Sequence, residues 1–212
     1  MTLRAVVPLL LLAVAGCAKT GEIDAQLGGI TAVRTVCPAV AIPAGTGDVT
    51  LFDPPESRQA SALDVTATLT NLRSTCDDRS EQVTTQVTFD VRARRTRTDA
   101  PRDVTLPYFI TVVRGGSQVV SKRISRVALH FDAGQAVATA SGQGTAFVNR
   151  AAATLPKATR DRLTRRRKAG EEDAALDPLT QPEVRDAVLK ASFEALVGFQ
   201  LTDAQLRYNA TR

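Results

Sequence analysis

The fold class of this chain is decided by one stretch, Gln82-Val83-Thr84-Thr85-Gln86-Val87-Thr88-Phe89-Asp90-Val91-Arg92-Ala93-Arg94. Its odd-numbered positions carry apolar side chains or threonine, and its even-numbered positions are polar or charged. Successive side chains of a β-strand point to opposite faces, so this period of two places one set toward a core and the other toward water. The pattern is typical of a half-buried antiparallel strand.

Six more apolar runs lie outward from this strand, at 36–42, 49–52, 65–69, 106–113, 119–131 and 136–148. Gly115-Gly116 separates two of the runs and predicts a tight hairpin, because such turns need positive φ. The run from Val119 to Phe131 is apolar at both ends and charged in the middle, which indicates a bulge or a sheet edge. About seven strands with turn signals between them predict a mainly β fold for residues 33–150. We expect an immunoglobulin-like antiparallel β-sandwich, followed by a C-terminal helical segment.

The last part of the chain, residues 151–212, has a helical pattern that we expect to pack on the sandwich. Residues 154–169 are rich in Arg, Lys and Ala and favour a helix with a thin apolar stripe. Thr180-Gln181-Pro182-Glu183 forms a capping box with an early proline, which predicts a helix start. The apolar stripe that follows continues to Val197, and Gly198 is placed to end this helix. Residues 201–205 repeat the capping pattern for a last short helix.

The N-terminus has the three parts of a secretory signal: a charged start, an apolar run and small residues before Cys17. The apolar run is too short for a membrane span, which needs about 20 apolar residues. Its end, Val14-Ala15-Gly16-Cys17, resembles the lipobox of bacterial lipoproteins. The resemblance implies removal of residues 1–16, a diacylglycerol on the Cys17 sulfur and an acylated new N-terminus. An ordinary cleaved signal with a chance cysteine, or an uncleaved N-terminal anchor, is the alternative.

The residue after the cysteine bears on the membrane that would hold the anchor. In the lipoproteins that this lipobox resembles, Asp at that position favours the inner membrane, whereas this chain has Ala18. The resemblance therefore implies the periplasmic face of the outer membrane. Residues 17–32 are polar and contain glycine, which predicts a flexible tether between the lipid and the folded domain.

The chain has three cysteines, and one pairing is possible once Cys17 carries lipid. An oxidising compartment favours a disulfide between Cys37 and Cys76, which would tie the first strand to the end of the third. In the chain-entropy description, closing a loop of this length stabilises the fold by roughly 4 kcal/mol. The alternative is a reactive thiol or half of a metal site, and the single histidine of the chain makes a metal site a weak case.

Positive charge is concentrated in two clusters of a chain whose net charge is +5. The first cluster comprises Arg92, Arg94, Arg95, Arg97 and Arg102. The second comprises Lys157, Arg160, Arg162, Arg165, Arg166, Arg167 and Lys168, and it is our candidate for contact with anionic lipid or lipopolysaccharide head groups. A solvated helix face that neighbouring acids balance is the alternative. Secretion across the inner membrane argues against nucleic acid as a partner.

We find no residue pattern that predicts catalysis. His130 lies on a predicted strand without an identifiable partner for general acid–base chemistry. The sequence has no Gly-x-Ser-x-Gly elbow, and acidic pairs such as Asp77-Asp78 lie in turn-like stretches. A single Met and a single His argue against a copper carrier. We therefore expect a non-enzymatic protein without a cofactor or metal; a hydrolase with an unrecognised site is the alternative.

Four features together resemble an uncharacterised alphaproteobacterial envelope lipoprotein family. They are the lipobox, Cys37-Pro38, Tyr108-Phe109-Ile110 before the Gly-Gly pair, and the ending Gly198-Phe199-Gln200-Leu201-Thr202-Asp203-Ala204-Gln205-Leu206-Arg207-Tyr208-Asn209. The resemblance covers most of the mature chain and implies an envelope location, with no activity or site attached to it. We expect a membrane-anchored adaptor or scaffold in envelope assembly or integrity. The alternative is a module that binds a lipid or small apolar molecule in a cleft between the sandwich and the C-terminal helix.

Overall fold

The computed structural model describes residues 23–24, 29–30, 35–165 and 176–211. Strands β1 (Ile23–Asp24) and β2 (Gly29–Ile30) pair as a short antiparallel ribbon inside the predicted tether. The predicted signal sequence and Cys17 lie outside the described residues. The remaining elements belong to a second unit, which carries the sandwich.

Two four-stranded sheets make up this unit. Sheet I has the order β3 (Ala39–Ala41), β10 (Phe193–Phe199), β7 (Arg102–Arg114), β8 (Gln118–Phe131). Sheet II has the order β4 (Asp48–Phe52), β5 (Leu63–Asp77), β6 (Gln82–Arg95), β9 (Val137–Asn149). All neighbouring strands are antiparallel except β3 and β10, which are parallel. The predicted mainly β sandwich is confirmed, with eight strands in its two sheets rather than about seven.

The core lies between the sheets, and β6 lies near its centre. The side chains of β6 alternate along the strand as predicted, with Val87, Phe89 and Val91 buried and Thr88 exposed. The Phe89 ring meets the Tyr108 ring of β7 edge-on, with centroids 4.9 Å apart. The Tyr108 hydroxyl donates a hydrogen bond to the carbonyl of Gln143 on β9 (2.7 Å), so the one polar atom of this aromatic pair is satisfied.

The hairpin between β7 and β8 has the form that the glycine pair predicts. Gly115 and Gly116 both have positive φ, at 61° and 77°. The register shifts between Val112 and Val113, and β8 is the edge strand of sheet I. The edge position is therefore confirmed as the explanation for the charged middle of β8, and the bulge lies just before that middle, between Val119 and Ser121.

The helices of the described chain are α1 (Arg150–Ala153), α2 (Lys157–Thr164), α3 (Pro182–Lys190) and α4 (Asp203–Thr211), with short 3₁₀ turns at Ala60–Ala62 and Pro178–Thr180. The predicted helix from residue 182 to Val197 is wrong beyond Lys190. Its second half forms β10, which pairs with β7 on one side and β3 on the other. The domain prediction for residues 151–212 is corrected accordingly, because part of this region completes sheet I instead of packing on it.

The two predicted capping boxes have different outcomes. Gln181, not Thr180, is the N-cap of α3, and it makes no side-chain capping bond. The Thr180 hydroxyl instead donates to the carbonyl of Asp177 (2.7 Å). The second box is confirmed, since the Gln205 side chain accepts from the Thr202 N–H (2.9 Å) and the Thr202 hydroxyl oxygen accepts from the Gln205 N–H (3.3 Å).

Cys37 and Cys76 form a disulfide, and their Cα atoms are 6.2 Å apart. Cys37 lies two residues before β3, and Cys76 is the penultimate residue of β5. The bridge therefore connects the short edge strand of sheet I to the third strand of the sandwich in sheet II, as predicted. Val36 and Cys37 pack beside Val112 and Phe193 at this end of the sandwich, which we call the disulfide end.

Candidate functional surfaces

The predicted basic contact segment lies only partly within the described residues. Lys157, Arg160 and Arg162 lie on α2, Arg165 follows its last turn, and Arg166, Arg167 and Lys168 are outside the described residues. Two of the described cations are paired: Lys157 Nζ lies 2.6 Å from Asp161, and Arg162 Nη1 lies 3.7 Å from Glu183 of α3. Acids thus balance part of this segment, and contact with an anionic surface stays a prediction.

Three arginines of the first basic cluster, Arg95, Arg97 and Arg102, bind other groups of the same chain. Arg95 is buried and donates to the carbonyls of Ala100 (2.6 Å), Asp132 (2.7 Å) and Gln135 (2.8 Å). It thereby joins the β6–β7 loop to the β8–β9 loop. Because a buried cation needs its donors satisfied, we assign Arg95 to structure rather than to an accessible charge patch.

Arg102 and Arg97 converge on a second internal site, the buried carboxylate of Asp64. Arg102 binds both oxygens of Asp64, at 2.6 and 2.7 Å, and this bond raises the pKa of the guanidinium. Arg97 lies 3.6 Å from Asp64 and also contacts Asp53. A buried carboxylate is tolerated when it is paired and hydrogen-bonded in this way, so these charges hold the loops at this end of the sandwich.

The exposed half of β8, residues 118–126, is a surface that the sequence analysis did not select as a site. All nine of its residues are exposed, whereas Val127, Leu129 and Phe131 further along the strand are buried. Three aliphatic side chains are largely exposed to solvent: Val119 is 61% exposed, Val120 53% and Ile124 60%. Single exposed apolar residues are ordinary on protein surfaces, but several along one edge strand form a patch.

The same half of β8 carries three cations that lack a carboxylate partner among the residues that the structure describes. Lys122, Arg123 and Arg126 have no acidic oxygen within 4.0 Å in the ranges 35–165 and 176–211. Lys122 Nζ instead lies 4.9 Å from the centroid of the Phe109 ring, and the Arg123 guanidinium lies 5.2 Å from that of Phe147. These cation–π contacts hold the two cations against the sheet surface without neutralising them. Both charges can therefore attract an acidic partner. The signal that could have found the surface is the lack of Asp and Glu from residue 104 to 131.

His130 lies at the other end of β8, on the surface and between two carboxylates. Its Nδ1 lies 2.6 Å from Asp103 and its Nε2 3.3 Å from Asp132. The hydrogen bond to Asp103, together with both negative charges, raises the pKa of the imidazole. Since each ring nitrogen faces its own carboxylate, the two acids do not converge with the ring on one point as metal ligands do. In the described parts of the chain, no group of three or more His, Cys, Asp or Glu has metal-binding geometry.

A cleft of about 390 Å³ lies at the end of the sandwich opposite the disulfide, between β4 and α4. Leu51 and Phe52 of β4 line one wall, and Gln205 and Tyr208 of α4 line the other. A cleft beside the C-terminal helix α4 is therefore present, and the binding of a lipid or small apolar molecule in it stays a prediction.

Comparison with protein-family models, curated proteins and solved structures finds no match to this chain. The architecture defines the class, a disulfide-linked β-sandwich with a helical tail. In the part of the chain that the structure describes, no helix has the length and apolarity needed to cross a membrane.

Proposed function

We propose that this protein is a lipid-anchored periplasmic adaptor of the outer membrane, whose docking surface is the exposed half of β8. The observation that carries the proposal is the combination, on one edge strand, of three exposed aliphatic side chains and three cations without acidic partners among residues 35–165 and 176–211. The adaptor has no catalytic role in this proposal. The lipobox at Cys17 supports the anchor.

The three aliphatic residues indicate that this edge strand does more than prevent the sheet from pairing with other chains. Lysine and other charges on an edge strand keep it from pairing with other chains, and cations alone serve that purpose. Val119, Val120 and Ile124 weaken such protection, because they favour association. Burying the exposed part of each side chain stabilises a complex by roughly 1 kcal/mol.

The charge of the exposed half of β8 indicates the chemical class of its partner. A surface rich in Lys and Arg and free of acids attracts a partner that presents carboxylates beside apolar groups, and electrostatic complementarity of this kind favours specificity. A second copy of the same edge would place like charges opposite each other, which is destabilising. We therefore assign the surface to an acidic envelope protein rather than to self-association.

Photo-crosslinking in cells tests the proposal. A photoreactive residue replaces Val119 in the full chain, and the matched control replaces Thr88, an exposed residue on the outer face of sheet II. We expect a discrete protein adduct from position 119 and none from position 88. The adduct should disappear with Lys122→Glu, Arg123→Glu and Arg126→Glu together, and Cys17→Ser should weaken it by releasing the protein from the membrane.

Three outcomes would contradict this assignment. Lipid as the sole crosslinked species would make the exposed half of β8 a membrane contact. An adduct of twice the chain mass would make it a dimer edge. Equal adducts from positions 88 and 119 would show that β8 is not selective.

A further inference from the structure

The walls of the cleft between β4 and α4 are held in place from both sides. The capping bonds between Thr202 and Gln205 fix the start of α4. Further along the helix, the Asn209 amide donates to the carbonyls of Gly45 and Asp48, both at 2.8 Å. The helix is therefore attached to the chain leading into β4, and the cleft is formed before any ligand enters, as most ligand sites are.

The cleft has an aromatic lining that both walls contribute. The Phe52 ring of β4 and the Tyr208 ring of α4 meet edge-on, with centroids 5.3 Å apart. Leu51 and Ala204 add aliphatic surface. An apolar body of a ligand would thus find a hydrophobic and aromatic surface, which is what small-molecule sites commonly present.

The charges of the lining do not balance. Arg102 is neutralised by Asp64, with which it forms a bidentate pair. Arg58 lies over the Phe52 ring, with its guanidinium carbon 5.1 Å from the centroid. It donates only to the backbone carbonyls of Pro55 and Ser57, and no carboxylate of residues 35–165 or 176–211 lies within 4.0 Å of it. One guanidinium charge at the cleft is therefore available to an anion.

We propose that this cleft binds a small amphipathic anion, whose carboxylate or phosphate pairs with Arg58 and whose apolar part lies against Phe52 and Tyr208. Guanidinium groups suit both head groups because their donors match carboxylate and phosphate oxygens. The volume is at the small end of the range of about 300–1,000 Å³ that ligand sites span, so one short chain or ring fits and a whole phospholipid does not. The site is independent of the lipid anchor and of β8.

The two tyrosines of the chain make binding measurable by fluorescence. The chain has no tryptophan, and Tyr108 is the only tyrosine besides Tyr208. Tyr108→Phe removes the core fluorophore, with the loss of one hydrogen bond to the Gln143 carbonyl, and leaves Tyr208 as the sole tyrosine reporter, at the cleft. Octanoate, octyl phosphate and the neutral octanol are then titrated into the full chain carrying this change.

We expect saturable changes of Tyr208 emission with octanoate, octyl phosphate or both, and the comparison of the two identifies the preferred head group. Arg58→Gln should weaken anion binding at least tenfold, and Arg58→Lys should retain part of it. Arg94→Gln, which removes an exposed arginine from the outer face of sheet II, is the matched control and should leave binding unchanged. Octanol should bind more weakly than either anion and be insensitive to Arg58→Gln.

The proposal is overturned if neither anion saturates the Tyr208 signal, or if the Arg58→Gln protein binds as tightly as its parent. If octanol binds as tightly as the anions, the cleft is an apolar pocket, and the proposal that it selects an anionic ligand is refuted. Each protein is first compared by thermal unfolding, and the Arg58→Lys protein replaces Arg58→Gln if the latter fails to fold. None of these results bears on the crosslinking of β8.

Discussion

Strands β6 and β10 are both central strands of their sheets, yet only β6 is recognisable from the sequence. β6 has one face in the core and one in water, so its side chains alternate regularly. In β10, Ala195, Val197, Gly198 and Phe199 are buried, and the other three residues of the strand are half-buried. Alternation is visible only where one face meets solvent, and a strand covered on both sides is a short apolar run that a helix can also explain.

The sequence before β10 strengthens the wrong interpretation. A helix does begin at Pro182, and the apolar residues after Lys190 continue its spacing of three and four without interruption. The pairing that ends the helix is non-local, because β7 is supplied by residues 102–114. Pairing with an existing strand thus overrides a modest helical preference, since propensity is a weak signal beside tertiary contacts.

The largest expected effect tests the alternation of β6. Phe89→Ala should lower the free energy of unfolding by about 4 kcal/mol, because it removes a buried ring and leaves a cavity against Tyr108. Thr88→Ala, one position along on the solvent face, should change it by less than about 0.5 kcal/mol. Urea denaturation of both proteins measures the difference, and equal losses would contradict the assignment of the two faces.

The next effect concerns the disulfide, which connects the partner of β10 to sheet II. Cys37→Ala and Cys76→Ala should each destabilise the protein by roughly 4 kcal/mol, the value that loop closure predicts, and the double change should cost no more than either single one. Hydrogen exchange after reduction should rise in β3 and β10 and much less in β6, because β3 is a three-residue strand that the bridge holds in place. Additive losses would refute the bridge.

A smaller effect distinguishes two interpretations of Gly198, as the end of a helix or as a closely packed position in β10. A methyl group at this position would overlap the Thr46 side chain and the Phe109 ring, so Gly198→Ala should cost about 2 kcal/mol, within the range for overpacking. Thr46→Gly removes one of the obstructing side chains, and a double-mutant cycle should give a coupling above about 0.5 kcal/mol. If residue 198 only terminated a helix, the two changes would be additive.

The smallest effect tests the alternation of β8 at His130, which is exposed between buried Leu129 and Phe131. Asp103 and Asp132 raise its folded pKa above the ordinary value of 6.5. The stabilisation is therefore complete below the unfolded pKa and is lost as the pH rises through the folded pKa. His130→Gln should abolish this pH dependence. NMR titration of the single histidine measures the pKa directly, and a value at or below 6.5 would contradict the hydrogen bond.

The candidate sites differ in how far the sequence could predict them. A cleft beside a C-terminal helix was expected, but its charge was not, because the sequence does not show which arginine will find a carboxylate, and only in the fold does Arg102, unlike Arg58, pair with Asp64. The exposed half of β8 was missed because an apolar residue in a strand run is normally assigned to the core. Ile124 pairs with Phe109 and Val119 pairs with Val113, so both lie on the face of sheet I that points away from sheet II, and only the fold shows that this part of the face is left uncovered.

The sequence by itself determines the sandwich, the glycine hairpin, the last capping box and the disulfide pair, because local periodicity, turn chemistry and cysteine arithmetic act over short distances or allow few alternatives. The tertiary structure alone decides the identity of β10, the burial of Arg95 and the exposure of β8. These depend on contacts between residues far apart in the chain, for which a single sequence carries no local pattern. The same reason separates Lys122, which has no carboxylate partner in the described part of the chain, from Lys157, whose partner lies one helical turn away.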